Sequence, residues 1–281
     1  MPQEATRRGE NPGMESALIV SSHLDDAAIS VGIMAQRLSM THALTVATVF
    51  TEHDEGPLSY SARIFNTSDT GSASQCMIRR RAEDWLALSL LGATPVHLGF
   101  VDATFRRDKS GVAICERPED IVSADPHAEE AFVHTVTSRL AVLIGASHPE
   151  ILLVPFGLGN HVDHKIVRIA ADLAIAMCAS SGQLRAVVYY EDLPYAYSHD
   201  PTNSNISLSE WESVIVTATD VAWERKLGAI RCYSTQLRFI DVGQTPWHVS
   251  LEEYARMVGK GQVAERLWVT GDRSTFGQFQ F

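Results

Sequence analysis

The chain has 281 residues, of which 45% are hydrophobic, and its formal net charge is −11 at pH 7. This length and composition suffice for one sizeable α/β core, and the acidic balance disfavours duplex nucleic acid and anionic membranes as partners. Four cysteines without a CxxC pair indicate neither a thiolate metal site nor a disulfide framework. We therefore expect a cytoplasmic protein with a disordered leader over residues 1–15 and a single domain over residues 16–281.

Strands and helices are predicted to alternate along the first two thirds of the chain. Short apolar runs predict strands, and apolar residues at helical spacing predict helices. The predicted strands are Ala17–Ser22, Ala43–Thr51, Pro95–Phe100, Glu150–Pro155, Leu184–Tyr190 and a late one at Glu265–Thr270. The predicted helices are Ala27–Met40, Gln75–Leu91, Ala128–Ile144, His161–Ser180, Thr217–Arg231 and Leu251–Gly259. We predict an α/β fold with a Rossmann-like, mostly parallel sheet, helices on both faces and a C-terminal elaboration.

The helix at Gln75–Leu91 is predicted to be amphipathic. Its apolar side carries Trp85, Leu86 and Leu88, while Arg79–Arg81 and the pair Glu83-Asp84 are expected to face solvent. Two other segments, 52–74 and 191–216, show little periodicity. Loops of this length are functional or mobile in compact domains, so we expect a lidded or enlarged cleft.

Two clusters of metal-capable side chains follow predicted strands. The sequence Ser-Ser-His-Leu-Asp-Asp at 21–26 comes after the first strand, and His-Val-Asp-His at 161–164 comes after the strand that ends at Pro155. Open α/β sheets place their ligand sites at the carboxyl ends of strands. We therefore expect the two clusters to meet around one metal ion.

Three of these side chains meet the requirements of a hydrolytic metal site. Catalytic zinc takes three His or carboxylate ligands and leaves a fourth position for water. His23, Asp26 and His164 provide that number of ligands. Asp25 then remains beside the metal as a carboxylate that can act as general base, and Asp163 is the expected hydrogen-bond partner of a ligating imidazole. We predict Zn²⁺, or another divalent cation in its place, as the cofactor.

The same residues also permit other interpretations. Adjacent aspartates at a helix start commonly act only as caps. Two histidines and one carboxylate are also the ligand set of non-haem iron(II) oxygenases, although those enzymes carry it on a jelly roll and this chain is rich in predicted helices. A nucleotide-binding protein is disfavoured because no glycine-rich phosphate loop follows the first strand. A catalytically dead binding module is disfavoured because every expected ligand is present.

The two motifs resemble those of a known family. A strand followed by His-x-Asp-Asp, with a distant His-x-Asp-His, is similar to the LmbE-like or PIG-L (N-acetylglucosaminyl-phosphatidylinositol de-N-acetylase) family of zinc-dependent N-deacetylases. The resemblance runs from about residue 17 to about residue 194 and includes the arginine-rich helix and the Tyr-Glu-Asp-Leu-Pro-Tyr stretch. Carried over by position, it implies metal ligands at His23, Asp26 and His164, a general base at Asp25 and an oxyanion-side histidine at His161.

The sequence departs from the family pattern in both motifs. The usual His-Pro-Asp-Asp-Glu carries Leu24 and Ala27 here in place of proline and glutamate, and neither lost group is a ligand. Some members have a tyrosine two residues before the first histidine of the second motif, where this chain has Gly159. The role of that tyrosine must pass to another group or be lost.

The resemblance implies a hydrolase that removes an N-acetyl or related N-acyl group from an amino-sugar-containing small molecule, in specialised metabolism. In the implied mechanism Asp25 takes a proton as metal-bound water attacks the acetamide carbonyl, and the oxyanion lies between the metal and a protonated His161. An amidase of the same family that acts on a non-sugar amide is the alternative. Neither a nucleic acid nor a membrane is expected as a partner.

Substrate contacts are expected at strand and helix ends, where polar side chains can hold sugar hydroxyls and aromatic rings can stack on a sugar or aglycone. The polar candidates are Arg79, Asp102, Thr104, Glu191 and Asp192. The aromatic candidates are Tyr195, Tyr197 and Trp211.

Overall fold

The computed structural model describes residues 14–67, 71–179, 182, 184–199, 201 and 208–270. The strands are β1 (Ser16–Ser21), β2 (Ala43–Glu52), β3 (Thr94–Val101), β4 (Ile151–Pro155), β5 (Ala186–Tyr190), β6 (Trp211–Thr217) and β7 (Ala264–Thr270). The α-helices are α1 (Asp26–Thr41), α2 (Tyr60–Phe65), α3 (Ala73–Leu90), α4 (Pro118–Ser123), α5 (Glu130–Ser147), α6 (Val162–Cys178), α7 (Asp220–Arg231) and α8 (Trp247–Val258). The strands and helices predicted in the first two thirds of the chain are confirmed to within a few residues.

The strands form one sheet in the order β3-β2-β1-β4-β5-β7-β6. The first five are parallel, and β7 runs antiparallel to both β5 and β6. Helix α7 contacts both α1 and α3 in one layer, while α5 and α6 pack together in another. The predicted Rossmann-like α/β fold is confirmed. The chain order reverses between β1 and β4, and such a switch point is where doubly wound sheets bind ligands.

Helix α1 contains a kink, and the C-terminal part of the chain supplies hydrogen-bond acceptors for the backbone N–H groups that the kink frees. Val31 has non-helical backbone angles (φ −131°, ψ 27°). The backbone N–H groups of Ile33 and Met34 donate instead to the buried carboxylate of Glu265, at 2.8 and 2.9 Å. Buried Lys226 pairs with the same carboxylate at 2.7 Å. The last strand is therefore part of the same core as the first helix.

The prediction for helix α3 is only partly right about which side is buried, since Leu88 is buried and Arg79 is exposed as expected but other residues are not where it placed them. Trp85 and Leu86 are 58% and 62% exposed, whereas Arg80, Glu83 and Asp84 are buried. The buried charged groups have hydrogen-bond partners, namely Asn66 for Arg80, Ser234 and Thr235 for Glu83, and His97 and Tyr233 for Asp84. The spacing of apolar residues misplaced these three charged side chains because their hydrogen bonds offset the cost of desolvation.

The segments predicted as irregular contain secondary structure. Helix α2 lies within 52–74 and β6 begins within 191–216, while helix α4 lies in a stretch for which no helix or strand was predicted. Strand β6 is an edge strand that pairs with β7 along its whole length and leaves three of its seven residues exposed. The adjacent polar residues Glu212 and Ser213 interrupt its apolar run, so a search for buried apolar runs missed it.

Some predictions fall on residues outside the described ranges. These residues are 1–13 of the expected leader, 68–70, Ser180, Asp200 and 202–207 of the segment 191–216, and 271–281 of the expected domain. Glu15, placed in the leader by the sequence, has a backbone carbonyl that accepts from the N–H of Ala43 at 2.8 Å. In the described part of the chain, no helix combines the length and apolarity needed to cross a bilayer.

Candidate active site

Strands β1 and β4 bring the two predicted clusters together. His23 lies in the turn between β1 and α1, and that turn is held by the Ser21 hydroxyl, which accepts from the N–H of Ala27 at 3.1 Å. His164 lies in the first turn of α6, which follows β4. His23 Nδ1 is 3.3 Å from His164 Nε2, although the residues are 141 positions apart. The expected convergence is therefore present in the structure.

Three side chains form a compact set of donor atoms, hereafter the donor triangle: His23 Nδ1, Asp26 Oδ2 and His164 Nε2. Asp26 Oδ2 lies 3.2 Å from each of the two ring nitrogens. It also accepts from the backbone N–H of His23 at 2.8 Å, which fixes the carboxylate. A tetrahedral zinc ion needs donors about 3.3 Å apart. The spacing, the burial and the donor types of the triangle all fit a divalent cation.

The other nitrogen of each imidazole is bonded to a buried carboxylate. His23 Nε2 donates to Asp163 Oδ2 at 3.0 Å, and His164 Nδ1 donates to Asp192 Oδ1 at 2.6 Å. Carboxylates only accept, so these bonds place the ring protons away from the donor triangle. Metal-ligating histidines are typically oriented in this way. Asp163 is in turn held by Arg106 and by the N–H of Ala103.

Two residues predicted as substrate contacts, Asp192 and Glu191, are hydrogen-bonded to other groups of the protein. Asp192 supports His164, and its Oδ2 accepts from the N–H groups of Gly157 and Leu158 at 2.7 and 3.0 Å. Glu191 points away from the site into the core near β7. Its partners are Tyr254, Arg266 and Trp268. Neither carboxylate lines the cleft described next, so we do not retain them as substrate contacts.

The donor triangle opens into a cleft of about 260 Å³. Of the predicted contacts, Asp102 and Thr104 line this cleft. Arg79 does not, because its side chain is 51% exposed and donates to Ser234. The next residue, Arg80, is buried and faces the cleft instead. The sequence does not distinguish these neighbouring arginines, because apolar spacing places the whole run Arg79–Arg81 in solvent.

Asp25 lies beside the donor triangle and is 9% exposed. It precedes α1 but makes no side-chain capping bond, so capping does not explain its presence. Burial and the adjacent Asp26 raise the pKa of Asp25 to about 6, while Arg80, at 3.9 Å, opposes the shift. A carboxylate with a pKa near neutrality can both accept and return a proton.

The carboxylates around the donor triangle favour positive charge there. Burial disfavours a charged imidazole, but hydrogen bonds to Asp163 and Asp26 raise the pKa of His23 well above its usual value. The pKa of His164 is likewise raised to about 9, because Asp26 and Asp192 outweigh burial. Despite burial, the pKa of Asp26 is held well below its usual value by His164 and His23. A divalent cation would supply the charge that this site stabilises.

His161 lines the cleft, and its surroundings favour a neutral ring over the protonated ring that the resemblance implies. Its Nδ1 accepts from the N–H of Asp163 at 3.2 Å, at the start of α6, so the ring proton lies on Nε2. Burial and the nearby His23 and His164 lower the pKa of His161 well below its usual value. The neutral ring retains Nε2–H as a hydrogen-bond donor.

Tyr195 occupies the space that a side chain at position 159 would need. Gly159 has a φ of +80°, and a Cβ there would lie 2.4 Å from atoms of the Tyr195 ring. This ring lies 5.3 Å from that of His164 and 6.1 Å from that of His161, between centroids, and it lines the cleft. Burial and Asp26 raise the pKa of Tyr195, so its phenol stays protonated. The structure thus places a different tyrosine next to Gly159.

A larger groove of about 900 Å³ lies elsewhere, lined in part by His53, Arg107 and Phe132. It contains no member of the donor triangle. Arg106 separates the two regions, since it borders this groove and also bonds to Asp163. Cavity volume alone therefore does not identify the site.

Comparisons with known proteins are consistent with this arrangement. Residues 18–175, which include the whole donor triangle, match the family described as PIG-L: GlcNAc-PI de-N-acetylase. The chain is 26% identical over 239 residues to 2'-N-acetylparomamine deacetylase of Streptomyces fradiae, covering 83% of this chain and 76% of that protein. Its fold is similar to the zinc-inhibited form of teicoplanin deacetylase (TM-score 0.78, 24% identity, 92% and 99% of the two chains). It is also similar to A40926 pseudoaglycone deacetylase (TM-score 0.70, 28% identity, 90% and 96%).

Proposed function

This chain belongs to the PIG-L family, and we propose that it is a metal-dependent hydrolase that removes the N-acetyl group from an amino-sugar-containing small molecule. The observation that carries the proposal is the donor triangle with Asp25 beside it. The relatives are named as deacetylases of 2'-N-acetylparomamine, teicoplanin and the A40926 pseudoaglycone, which supports a substrate from specialised metabolism. The doubly wound sheet is not the jelly roll that the iron-oxygenase alternative requires.

We propose Zn²⁺ as the cation, held by His23 Nδ1, Asp26 Oδ2 and His164 Nε2. Two imidazole nitrogens and one carboxylate are ligands typical of catalytic zinc. When bound, the ion would polarise the amide carbonyl and lower the pKa of a coordinated water. Asp163 and Asp192 contribute by keeping both imidazoles in the tautomer that presents a lone pair to the ion.

Asp25 is the residue that moves the proton. Its carboxylate accepts a proton from the water that attacks the amide carbon, and it then delivers that proton to the departing amine nitrogen. His161 Nε2–H donates to the amide oxygen as that oxygen becomes negative. The Tyr195 hydroxyl is a second donor at the same end of the cleft.

The cleft supports a substrate with a polar and an apolar part. Thr104 Oγ1 donates to Asp102 Oδ1 at 2.7 Å and accepts from Asn66 Nδ2 at 2.8 Å, forming a polar wall suited to sugar hydroxyls. Phe65 and Phe239, which also line the cleft, pack edge to face with centroids 5.2 Å apart. We propose that the sugar binds at the polar wall and that a bulky aglycone lies against these rings.

The proposal is tested by incubating the zinc-loaded protein with a panel of acetylated compounds. The panel contains 2'-N-acetylparomamine, an N-acetylglucosaminyl glycopeptide, free N-acetylglucosamine and an N-acetylated aromatic amine. Mass spectrometry is expected to show loss of an acetyl group from at least one amino sugar, and chelation is expected to stop the reaction. Turnover of the aromatic amide alone would favour the amidase alternative, and oxygen consumption with 2-oxoglutarate would favour the oxygenase.

Replacing Tyr195 by phenylalanine is expected to lower kcat about 10- to 100-fold, because a hydrogen bond to a charged group contributes about 1.5–3 kcal/mol. Steady-state kinetics on the best substrate of the panel measure the effect. Tyr197→Phe is the matched control, since that ring packs on Tyr254 and does not line the cleft. Equal rates for Tyr195→Phe and the wild type would remove the Tyr195 hydroxyl from the mechanism.

Replacing Asp192 by asparagine is expected to weaken zinc binding about 10- to 100-fold, the usual effect of losing a carboxylate that orients a ligating histidine. Competition with a zinc-binding dye measures the dissociation constant. Glu191→Gln is the control, because that neighbouring carboxylate is equally buried but bonds to Trp268 and not to His164. An unchanged dissociation constant in Asp192→Asn would contradict the supporting role.

A further inference from the structure

A second group of metal-capable side chains lies at the opposite end of the sheet. Glu15 precedes β1, His42 precedes β2 and Glu150 precedes β4. One ligand atom from each lies within 4.8 Å of the others. The donor triangle follows the other ends of β1 and β4, so the length of these strands, about 17–20 Å, separates the two groups.

The sheet fixes the backbones of these three residues. The N–H of Ala43, next to His42, donates to the carbonyl of Glu15 at 2.8 Å, and the N–H of Glu150 donates to the carbonyl of Ser16 at 2.8 Å. These bonds extend the β1–β2 and β1–β4 ladders by one residue. The side chains therefore converge from neighbouring strands and not from mobile loops.

Two buried polar atoms in this group face each other without a hydrogen-bond partner. The side chains of His42 and Glu150 are each 7% exposed, and His42 Nε2 lies 3.7 Å from Glu150 Oε2. Within the described ranges, neither atom has a hydrogen-bond partner. The other oxygen, Glu150 Oε1, accepts from Arg185 at 2.6 Å. The unsatisfied atoms of this pair are therefore His42 Nε2 and Glu150 Oε2, which face each other. Burying a polar atom without a hydrogen-bond partner costs free energy.

The hydrogen bonds of His42 indicate that Nε2 presents a lone pair. The Thr41 hydroxyl lies 2.8 Å from His42 Nδ1 and 3.4 Å from the carbonyl oxygen of Leu38, an arrangement in which it accepts from Nδ1–H while donating to that carbonyl. An imidazole lone pair and a carboxylate oxygen repel each other at close range unless a positive charge lies between them.

We propose that Glu15, His42 and Glu150 form a second divalent-cation site, separate from the donor triangle, that binds Zn²⁺. An imidazole nitrogen with two carboxylates selects zinc over Mg²⁺ and Ca²⁺, which prefer all-oxygen ligands. A bound ion would tie the segment before β1 to the sheet. A shared proton is the competing occupant, because burial and the adjacent Glu15 raise the pKa of Glu150.

Zinc stoichiometry tests this site independently of the proposed function. Metal-free protein is dialysed against micromolar Zn²⁺ at pH 8, and bound zinc is measured by elemental analysis. The wild type is expected to bind two ions per chain. His42→Gln and Glu150→Gln are each expected to halve the bound zinc and to leave deacetylation unchanged. Circular dichroism verifies that each variant is folded, and two different substitutions guard against a folding defect in one of them.

The variant His164→Ala separates the two sites. It is expected to retain one zinc ion, and the double variant with His42→Gln is expected to retain none. One ion in the wild type and the same amount in both His42→Gln and Glu150→Gln would overturn the second site and leave the shared proton as the occupant. A His164→Ala variant that still binds two ions would contradict the donor triangle instead, so failure of one proposal is distinguishable from failure of the other.

Discussion

Replacement of Asp25 by asparagine is expected to lower kcat by about 10²- to 10⁴-fold, which is the usual contribution of a positioned general base. Asparagine has nearly the same shape, but it cannot accept the proton of the attacking water. Because Asp25 is not in the donor triangle, bound zinc is expected to remain at the wild-type level. Steady-state kinetics and elemental analysis on the same preparation measure both quantities.

The control for this experiment is Asp220→Asn, an exposed aspartate that, like Asp25, lies at the start of a helix. It reproduces the charge change without touching the cleft, and its kcat should equal that of the wild type. An Asp25→Asn enzyme with wild-type turnover would show that another group takes the proton. A variant that loses zinc as well as activity would place Asp25 among the ligands.

Replacement of His164 by alanine is expected to abolish measurable deacetylation and zinc-dependent stabilisation at the donor triangle. The substitution removes one of three donors and leaves the buried Asp192 carboxylate without its imidazole partner. A ligand at 100 times its dissociation constant stabilises a folded protein by about 2.7 kcal/mol, so the rise in Tm on adding zinc reports binding. The variant is expected to lose this rise.

The measurement is made in the His42→Gln background, so that zinc at the second group does not contribute to Tm. His134→Ala is the control, because that histidine is 66% exposed on α5 and pairs only with Glu130 among the described residues. A His164→Ala protein with an undiminished zinc-dependent rise in Tm would contradict the assignment of His164 as a ligand.

The donor triangle could be predicted from the sequence because its members follow the ends of strands. An apolar run followed by His or Asp places that residue at the carboxyl edge of a parallel sheet, wherever the strand lies in the order. His23 and His164 therefore meet although the sequence gives no pairing between β1 and β4. The roles of these residues are still predictions, to be decided by the variants above.

The sequence could not show on which side of a strand end each carboxylate lies. Successive residues of an extended chain point in opposite directions. Asp192 therefore bonds to His164, whereas Glu191 bonds to Trp268. Both residues follow β5, and for that reason both were predicted as substrate contacts. Only the register of β5 against β4 and β7 decides between them.

Tyr195 was an aromatic candidate in the sequence, but its connection with Gly159 was not visible. The two are brought together by the turn after β5, which folds back over the start of α6. No periodic pattern encodes such a contact between irregular segments. The same limit applies to helix α3, whose buried Arg80 is recognisable only once Asn66 is placed beside it.

The carboxylate of Glu265 that completes helix α1 has a consequence for biosynthesis. A ribosome releases residues 26–41 long before residue 265, and until then the N–H groups of Ile33 and Met34 lack their acceptor. Domains fold as units, and a nascent chain without β7 cannot satisfy this kink. Helix α1, which begins at the proposed ligand Asp26, thus reaches its native form only after β7 has been translated.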